Sequence, residues 1–239
     1  MKGHPRSRGF TLVSMMIGLL IGVICIAAML VLYRMLVTTS YDVRQRAGID
    51  AQLATSSLVA QQQLQQAGFG INQAVAGTDV IVLQHVSVTA AGKMSGEPAS
   101  AYSSAVTGNA ILWGYNPTGA TGTLDPAAYT CEGLFVDGND LLRLSPVACT
   151  APTEWHELTW RRTALVDPGV VGDASTFRLE PASCWPFGQT DAVNSLLVSY
   201  YLTKEGADAA GLPAPTSTAA SAPFNAIPVF SVCLPNFRT

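Results

Sequence analysis

The sequence predicts an α+β fold in which one long N-terminal helix, membrane-spanning in its first half, packs against an antiparallel β-sheet domain. Two observations predict it. The chain opens with a long, uncharged apolar run, and the remainder consists of short apolar stretches separated by Gly, Pro, Asn and Asp. Such punctuation is typical of strands joined by turns. With 239 residues, the chain can hold this helix and one domain of about 170 residues.

The apolar run from Phe10 to Tyr33 contains no charged residue. As a helix, its 24 residues would be about 36 Å long, enough to cross a bilayer core of about 30 Å. The apolar region of a secretory signal is shorter, about 7 to 15 residues. We therefore predict a leader, residues 1–9, and a transmembrane segment, residues 10–37. The leader is basic, which favours a cytoplasmic amino terminus, although the charge asymmetry is weakened by Arg34, Arg44 and Arg46.

The helix is expected to continue beyond the membrane to about Ala67, because no proline occurs between Pro5 and Pro98. Gly68 is placed to cap its C-terminus. Residues 38–68 would then form the periplasmic half of the helix and residues 69–239 the β-rich domain. Five glutamines near the helix end are expected to form an exposed polar face: Gln61, Gln62, Gln63, Gln65 and Gln66.

Apolar residues in this second half fall on two stripes at helical spacing. The first comprises Ile49, Leu53, Ala60, Leu64 and Ala67, and the second comprises Ala47, Ala51, Ala54 and Leu58. Two interpretations stay open. Either the first stripe holds the domain while the second faces neighbouring helices, or both belong to one wide core stripe.

Eight stretches are predicted to be strands because they are rich in β-branched and aromatic residues: Val80–Val88, Ala110–Trp113, Leu134–Val136, Leu141–Leu144, Glu157–Val166, Thr176–Leu179, Leu196–Leu202 and Val229–Leu234. Asp137-Gly138-Asn139-Asp140 predicts a hairpin turn, since these residues tolerate positive φ. Two stretches poor in large apolar residues are expected to be mobile surface loops, namely Ala90–Asn109 and Glu205–Pro223.

Four of the five cysteines lie outside the apolar run, which contains Cys25. An even set beyond a membrane segment indicates two disulfides in an oxidising compartment. A zinc site is the alternative, but no pair has CxxC spacing and the histidines are isolated from the cysteines. Four cysteines allow three pairings. We favour Cys131 with Cys149, which flank the hairpin, and hence Cys184 with Cys233.

No arrangement of nucleophile and base, metal ligands or phosphate-binding loop is evident, so we predict a protein that is not an enzyme and has no cofactor or metal. Ser95 misses the G-x-S-x-G spacing by one residue. His156 is interpreted as a half-exposed strand residue. Oxygen ligands for calcium are conceivable in the hairpin turn, but a plain turn is the better interpretation of Asp137, Asn139 and Asp140.

The charge of the chain gives no indication of nucleic acid as a direct partner. Charged residues make up 12% of the sequence, and the formal net charge is −3. Removing Lys2, Arg6 and Arg8 with the leader leaves 10 of the 13 basic residues against 16 acidic ones. No basic patch is left that would bind phosphates.

The segment Arg8-Gly9-Phe10-Thr11-Leu12-Val13 stands at the start of the apolar helix, and it resembles the signature of type IV prepilins. The resemblance implies that a prepilin peptidase cuts after Gly9 and methylates the new amino-terminal Phe10. It also implies that the first turns of the mature helix take part in assembly, through Phe10, Thr11, Leu12, Val13 and Ser14.

Members of this family usually carry Glu at the fifth mature position, where this chain has Ser14. In the family, that carboxylate is understood to meet the amino terminus of a neighbouring subunit, because an unpaired charge inside a membrane is costly. Ser14 offers a hydroxyl but no charge. Either the subunit lies at or near the filament tip, where it has no amine ahead to neutralise, or Ser14 is a tolerated variant.

The run from Leu64 to Gly70 resembles the helix-ending segment of PilW-type minor pilins and of the related J-type pseudopilins of type II secretion; residues 198–202 share the resemblance more loosely. It implies a role in pilus assembly, first at the bacterial inner membrane and then at the cell surface. The implied partners are the prepilin peptidase, other minor pilins, the major pilin, the inner-membrane assembly platform and the lipid bilayer. A J-type pseudopilin is one alternative, and a membrane-anchored exported binding protein or hydrolase is another.

Overall fold

A computed structural model of the chain describes residues 12–100, 102–121, 125–138, 140–168, 175–184, 193–201 and 229–237. The chain divides into two compact units, with the boundary between Ala47 and Gly48. Helix α1, Leu12–Leu64, contributes residues to both units. Antiparallel β-sheets follow it, so the predicted α+β arrangement of one long apolar helix and a β-sheet domain is confirmed.

The described residues contain these strands: β1 Val80–Val88, β2 Met94–Pro98, β3 Val106–Gly108, β4 Ala110–Tyr115, β5 Thr130–Asp137, β6 Asp140–Ala148, β7 Arg162–Ala164, β8 Thr176–Cys184, β9 Val193–Tyr201 and β10 Phe230–Leu234. They form a six-stranded sheet of order β2-β1-β4-β5-β6-β7 and a four-stranded sheet of order β10-β9-β8-β3. Short 3-10 turns connect some of them, at Pro117–Thr121, Pro126–Ala128 and Pro152–Glu154.

The part of α1 from Gly48 onward packs on the β domain through the first predicted stripe. Leu53, Ala60 and Leu64 are buried in the main core. The second stripe is exposed throughout, at Ala47, Ala51, Ala54 and Leu58. The interpretation of both stripes as one wide core face is therefore wrong, and α1 carries a separate exposed stripe of small and apolar residues.

The six-stranded sheet is covered on both faces, and successive strand residues alternate between them. Val82 and Leu134 lie on the face that shares a core with α1 and the four-stranded sheet. Leu83 and Phe135 lie on the opposite face, which packs against Trp160. Both faces of the sheet are thus buried, so its strands show no simple alternation of apolar and polar residues.

Asn109 joins the two sheets, because it is the one residue between β3 and β4. Its side chain accepts a hydrogen bond from Val86 N at 2.9 Å and donates to Val86 O at 3.0 Å and Val136 O at 3.2 Å. A Cβ on Gly108 would lie 2.1 Å from Leu83 O, so only glycine permits this close approach. The sequence predicts a single sheet. It does not reveal the division into two sheets, because the one residue between β3 and β4 is too short to be recognised as a linker.

The last described residues of the chain contact the turns that follow the end of α1. Asn236 Nδ2 donates to Ala67 O at 2.8 Å, and the buried Phe237 forms a bridge with Ala74. Gly68 has a φ of 73°, which suits its predicted place at the helix end. The helix itself ends at Leu64 and is followed by turns, a few residues earlier than expected.

The predicted β5–β6 hairpin is present, with Asp137 paired to Asp140 and Gly138 at a φ of 57°. Asn139 lies outside the described residues. Most other predicted strands coincide with observed ones to within a few residues, and the observed ones are generally longer. They lengthen because pairing to a neighbouring strand stabilises polar residues that have low intrinsic strand propensity.

Two strand-level predictions are wrong. The expected loop Ala90–Asn109 contains β2 and β3, which are short strands with little apolar content. The expected strand Glu157–Val166 pairs only at Arg162–Ala164, because the preceding segment folds over the outer face of the six-stranded sheet and buries Trp160 there. His156 consequently lies in an exposed turn and not in a strand. The second predicted loop, Glu205–Pro223, lies outside the described residues.

Candidate functional site

The candidate site is the exposed N-terminal part of α1. From Leu12 to Ala47 every residue is exposed except Gly22, which is partly buried. Large apolar side chains face outward around the whole helix, and examples are Leu12 at 79%, Met15 at 69% and Val31 at 66% exposure. Within the described residues, α1 is the one helix long and apolar enough to cross a membrane. Such a continuous apolar surface requires lipid or other apolar helices around it.

Two threonine hydroxyls in this part of α1 donate hydrogen bonds to the backbone of the same helix. Thr38 Oγ1 donates to Arg34 O at 3.1 Å and Thr39 Oγ1 donates to Met35 O at 2.8 Å. Arg34 is the first charged residue after Leu12. A helix whose backbone and hydroxyl groups bond internally can enter an apolar environment at low cost.

The other part of α1, from Gly48 onward, is fixed to the β domain by polar contacts as well as by the apolar stripe. The amide of Gln52 makes two hydrogen bonds to Asp167: Nε2 donates to Oδ2 at 2.6 Å, and Oε1 accepts from the backbone N at 2.9 Å. Side-chain amides that bond both a carboxylate and a backbone group fix orientation as well as distance. These contacts define which face of the helix is turned to the domain.

A buried ion pair lies at the same junction. Arg143 Nε donates to Glu132 Oε1 at 2.6 Å, and the Glu132 side chain is only 1% exposed. With its amide oxygen toward the guanidinium, Gln63 accepts from Arg143 Nε at 2.8 Å. Burial raises the pKa of the Glu132 carboxyl above its ordinary value, and the hydrogen bond and charge of Arg143 oppose that rise. The cluster links α1 to β5 and β6.

Gln63 is therefore a correction to the predicted glutamine face, because it is buried. Gln62 and Gln66 are exposed, and Gln61 and Gln65 are partly buried. Gln63 turns inward, where its amide oxygen accepts a hydrogen bond from the partly buried Arg143.

Two disulfides stabilise the β domain. Cys131 is bonded to Cys149 and Cys184 to Cys233, which is the pairing expected from the sequence. The first closes the open end of the β5–β6 hairpin, and the second joins β8 to β10 across β9. Such cross-links are typical of proteins that fold in oxidising compartments. Cys25 in the exposed helix has a free thiol.

Residues 4–30 match the family model described as the prokaryotic N-terminal methylation motif. The match supports a type IV pilin-like prepilin, a kind of structural protein. It implies processing by prepilin peptidase and assembly with pilus machinery. Searches of curated proteins and of solved structures find no match to the chain.

The matched residues include Gly9, Phe10 and the first 19 residues of α1, Leu12 to Leu30. Gly9, Phe10 and Thr11 lie outside the described residues. Leu12, Val13 and Ser14 form the first described turn of α1, and all three are exposed. The predicted assembly residues that the structure describes thus stand on one accessible helix end.

The described residues bear on the metal and calcium sites considered from the sequence. Among the residues that the structure describes, no group of three or more His, Cys, Asp or Glu side chains is placed to hold a metal ion. The exposed His156 has its Nε2 3.7 Å from Glu157 Oε1 and lies edge-on to the ring of Trp155. The hairpin at Asp137 and Asp140 is a turn within the sheet.

Sequence reasoning missed the polar groups that hold α1 on the β domain. Glu132 and Arg143 carry a signal that could have revealed them, since the hairpin register places Arg143 opposite Leu134, next to Glu132 on the same face. Opposite charges among core-facing residues of a hairpin indicate a buried pair. The bonds of Gln52 and Asn236 cross 115 and 169 positions of sequence, and nothing local predicts them.

Proposed function

We propose that this protein is a minor pilin of the PilW type that takes part in type IV pilus assembly. The observation that carries the proposal is the methylation motif at residues 4–30, placed on a helix whose apolar surface is exposed on all sides in its first part, from Leu12 to Val37. A solvent-exposed apolar helix of this kind is stable only in a bilayer or in a bundle of similar helices. A filament assembled from an inner-membrane pool of subunits provides each environment in turn.

In this proposal the prepilin peptidase cuts between Gly9 and Phe10, and Phe10 becomes the methylated amino terminus. Mass spectrometry of the protein from sheared filaments tests it directly. We expect the mature chain to begin at Phe10, and a Gly9→Val variant to retain the leader and to be missing from filaments. Gly18→Val, at a glycine within the same apolar run, is the matched control for processing. Recovery of intact Met1 in the purified filament fraction would refute the cleavage.

The exposed apolar surface of α1 between Leu12 and Val37 supports lateral packing of this subunit against neighbouring helices. If the helix served only as a tether, any transmembrane helix would replace residues 12–37 without loss. We expect such a replacement, with the leader and cleavage junction kept, to leave the protein in the membrane but to prevent its incorporation. Normal pilus numbers with the replaced helix would favour the anchored binding protein or hydrolase.

We further propose that Ser14 places the subunit at or near the filament tip. A carboxylate at this position has an amine to meet only if another subunit lies ahead. Ser14→Glu should therefore change pilus number or tip composition, whereas Ser40→Glu on the exposed part of the same helix should not. Unchanged pili in Ser14→Glu cells would mean that serine is a tolerated variant.

A J-type pseudopilin of type II secretion has the same physical features and is the second candidate. Deletion of the gene distinguishes the two, because loss of surface pili follows from the first function and loss of protein secretion with normal pili follows from the second.

A further inference from the structure

A groove of about 430 Å³ lies where the last turn of α1 meets the end of β4, and six residues line it: Gln62, Gln65, Gln66, Phe69, Tyr115 and Pro117. Its size is that of a small-molecule site, which typically has about 300 to 1,000 Å³. Phe69 is 38% exposed. In the described β domain few large apolar side chains are so accessible, which makes this surface distinct.

Three glutamine side chains line the groove. Among the described residues, the side-chain amides of Gln62, Gln65 and Gln66 form no hydrogen bond with another protein group. They bring donors and acceptors to one face, since positions separated by three and four residues lie together near a helix end. A ligand in the groove can thus be bound by amides without breaking any protein hydrogen bond.

The walls of the groove are fixed to each other by the backbone. Gly68 N donates to Gly114 O at 2.8 Å, and Asn116 N donates to Phe69 O at 2.7 Å. These bonds tie the turn after α1 to the end of β4. The groove is consequently pre-formed, and binding would cost little ordering of the chain.

The groove carries no formal charge. Its lining contains amides, two aromatic rings and a proline, and the neighbouring charges of Glu132 and Arg143 neutralise each other. Burial, and then the charge of Glu132, raise the pKa of the Tyr115 hydroxyl, so it stays protonated and able to donate. Neutral donors and acceptors beside aromatic faces suit a neutral, hydroxyl-rich ring better than an ion.

We propose that this groove binds a neutral carbohydrate, with a sugar ring against Phe69 or Tyr115 and its hydroxyls on the glutamine amides. The proposal goes beyond filament assembly and does not depend on it, because it concerns the isolated subunit. A segment of a neighbouring subunit is the competing occupant, and the experiment separates the two.

The test uses the full chain in a zwitterionic detergent, because glycoside detergents would compete for the groove. Triacetylchitotriose and maltotriose serve as neutral probes and 3′-sialyllactose as the anionic one, and binding is followed by saturation-transfer NMR and calorimetry. We expect saturable binding of at least one neutral probe. Phe69→Ala and Gln62→Glu should weaken it about tenfold, whereas Gln61→Glu, one residue away and outside the groove, should leave it unchanged.

Near-ultraviolet circular dichroism of each variant checks that the fold is retained. Absence of saturable binding to both neutral probes would overturn the proposal, as would equal weakening by Gln61→Glu and Gln62→Glu. It would also be overturned if Phe69→Ala left saccharide binding intact while removing the protein from filaments, since the groove would then hold a neighbouring subunit.

Discussion

Arg143 holds the carboxylate of Glu132 at the contact between α1 and the six-stranded sheet, with Nε 2.6 Å from Oε1. The two residues differ in exposure, because the side chain of Arg143 is 33% exposed and that of Glu132 is 1% exposed. The buried carboxylate of Glu132 therefore needs the charge of its partner, whereas the guanidinium of Arg143 also reaches water. Removing one or the other should have unequal consequences.

We expect Arg143→Met to lower the free energy of unfolding by about 3 kcal/mol, because it leaves a buried carboxylate without a counter-charge. Arg178→Met is the matched control, because its partner Glu180 is 27% exposed and would keep contact with water; this substitution should cost less than about 1 kcal/mol. Chemical unfolding followed by the fluorescence of the buried Trp113 measures both. Equal losses of unfolding free energy in the two variants would show that the Glu132–Arg143 pair contributes no more to stability than the Arg178–Glu180 pair.

The pH dependence of Glu132→Gln gives a second test. Burial raises the pKa of Glu132 in the folded protein, so folding favours the protonated acid. Its stabilising contribution is fully present below the ordinary carboxyl pKa and is lost as pH rises through the raised folded value. Glutamine cannot ionise and keeps an oxygen that accepts from Arg143.

At neutral pH, Glu132→Gln should therefore be as stable as the unaltered protein or more stable, and any advantage should shrink as pH falls towards 4, near the ordinary carboxyl pKa. Thermal unfolding at several pH values measures it. An advantage that grew on acidification would contradict the raised pKa of Glu132.

The sequence was sufficient to predict the long helix and the β5–β6 hairpin, because the signals for both are local. The helix follows from an uninterrupted run without proline, and the hairpin from Asp137-Gly138 between two apolar stretches. The disulfide pairing followed in turn, since the hairpin brings Cys131 and Cys149 together. These elements are set by neighbours in the chain.

Features that depend on distant contacts could not be predicted in this way. Strand β3, Val106–Gly108, forms because it pairs with β8 some seventy positions later, and a three-residue run that ends in glycine is too short to predict a strand. The inward turn of Gln63 depends on Arg143. The groove beside Phe69 arises where the helix end meets β4, and no motif in the sequence marks it.

Alanine substitutions at Gly70 and at Gly48 should have opposite effects on the stability of the fold. Gly70 has a φ of 68°, and a Cβ there would lie 2.2 Å from Asn116 O, so Gly70→Ala should destabilise the fold by about 3 kcal/mol. Gly48 lies within α1 with nothing near its would-be Cβ. Gly48→Ala should stabilise the helix by up to about 1 kcal/mol. The midpoint temperature of thermal unfolding should be higher for Gly48→Ala than for the unaltered protein, and lower for Gly70→Ala. The reverse order would contradict the surroundings described for both glycines.

Asn236 predicts that the C-terminal segment is needed to hold the end of α1. Its Nδ2 donates to Ala67 O at 2.8 Å, and Asn236→Ala would leave that carbonyl without this partner. We expect a loss of about 1 kcal/mol and faster hydrogen exchange in the turns after Leu64. Asn236→Asp is the control for size: it keeps the shape but lacks the donor, so it should be no better than alanine. Full stability in Asn236→Asp would show that the hydrogen bond contributes nothing.

Leu58 and Leu64 separate the two faces of α1, because they stand on one helix with opposite exposures of 66% and 0%. Leu64→Ala creates a cavity in the core and should lower the free energy of unfolding by about 3 kcal/mol. Leu58→Ala truncates a mostly exposed side chain and should change the free energy of unfolding by less than about 0.5 kcal/mol. If the exposed stripe packs on neighbouring subunits, Leu58→Ala should nevertheless reduce the amount of this protein recovered in sheared filaments, while its level in the membrane stays normal. Immunoblots of both fractions, together with chemical unfolding of the purified variants, measure the two effects separately. Normal incorporation of Leu58→Ala would remove the exposed stripe from the assembly interface, and a large loss of stability in that variant would contradict its exposure.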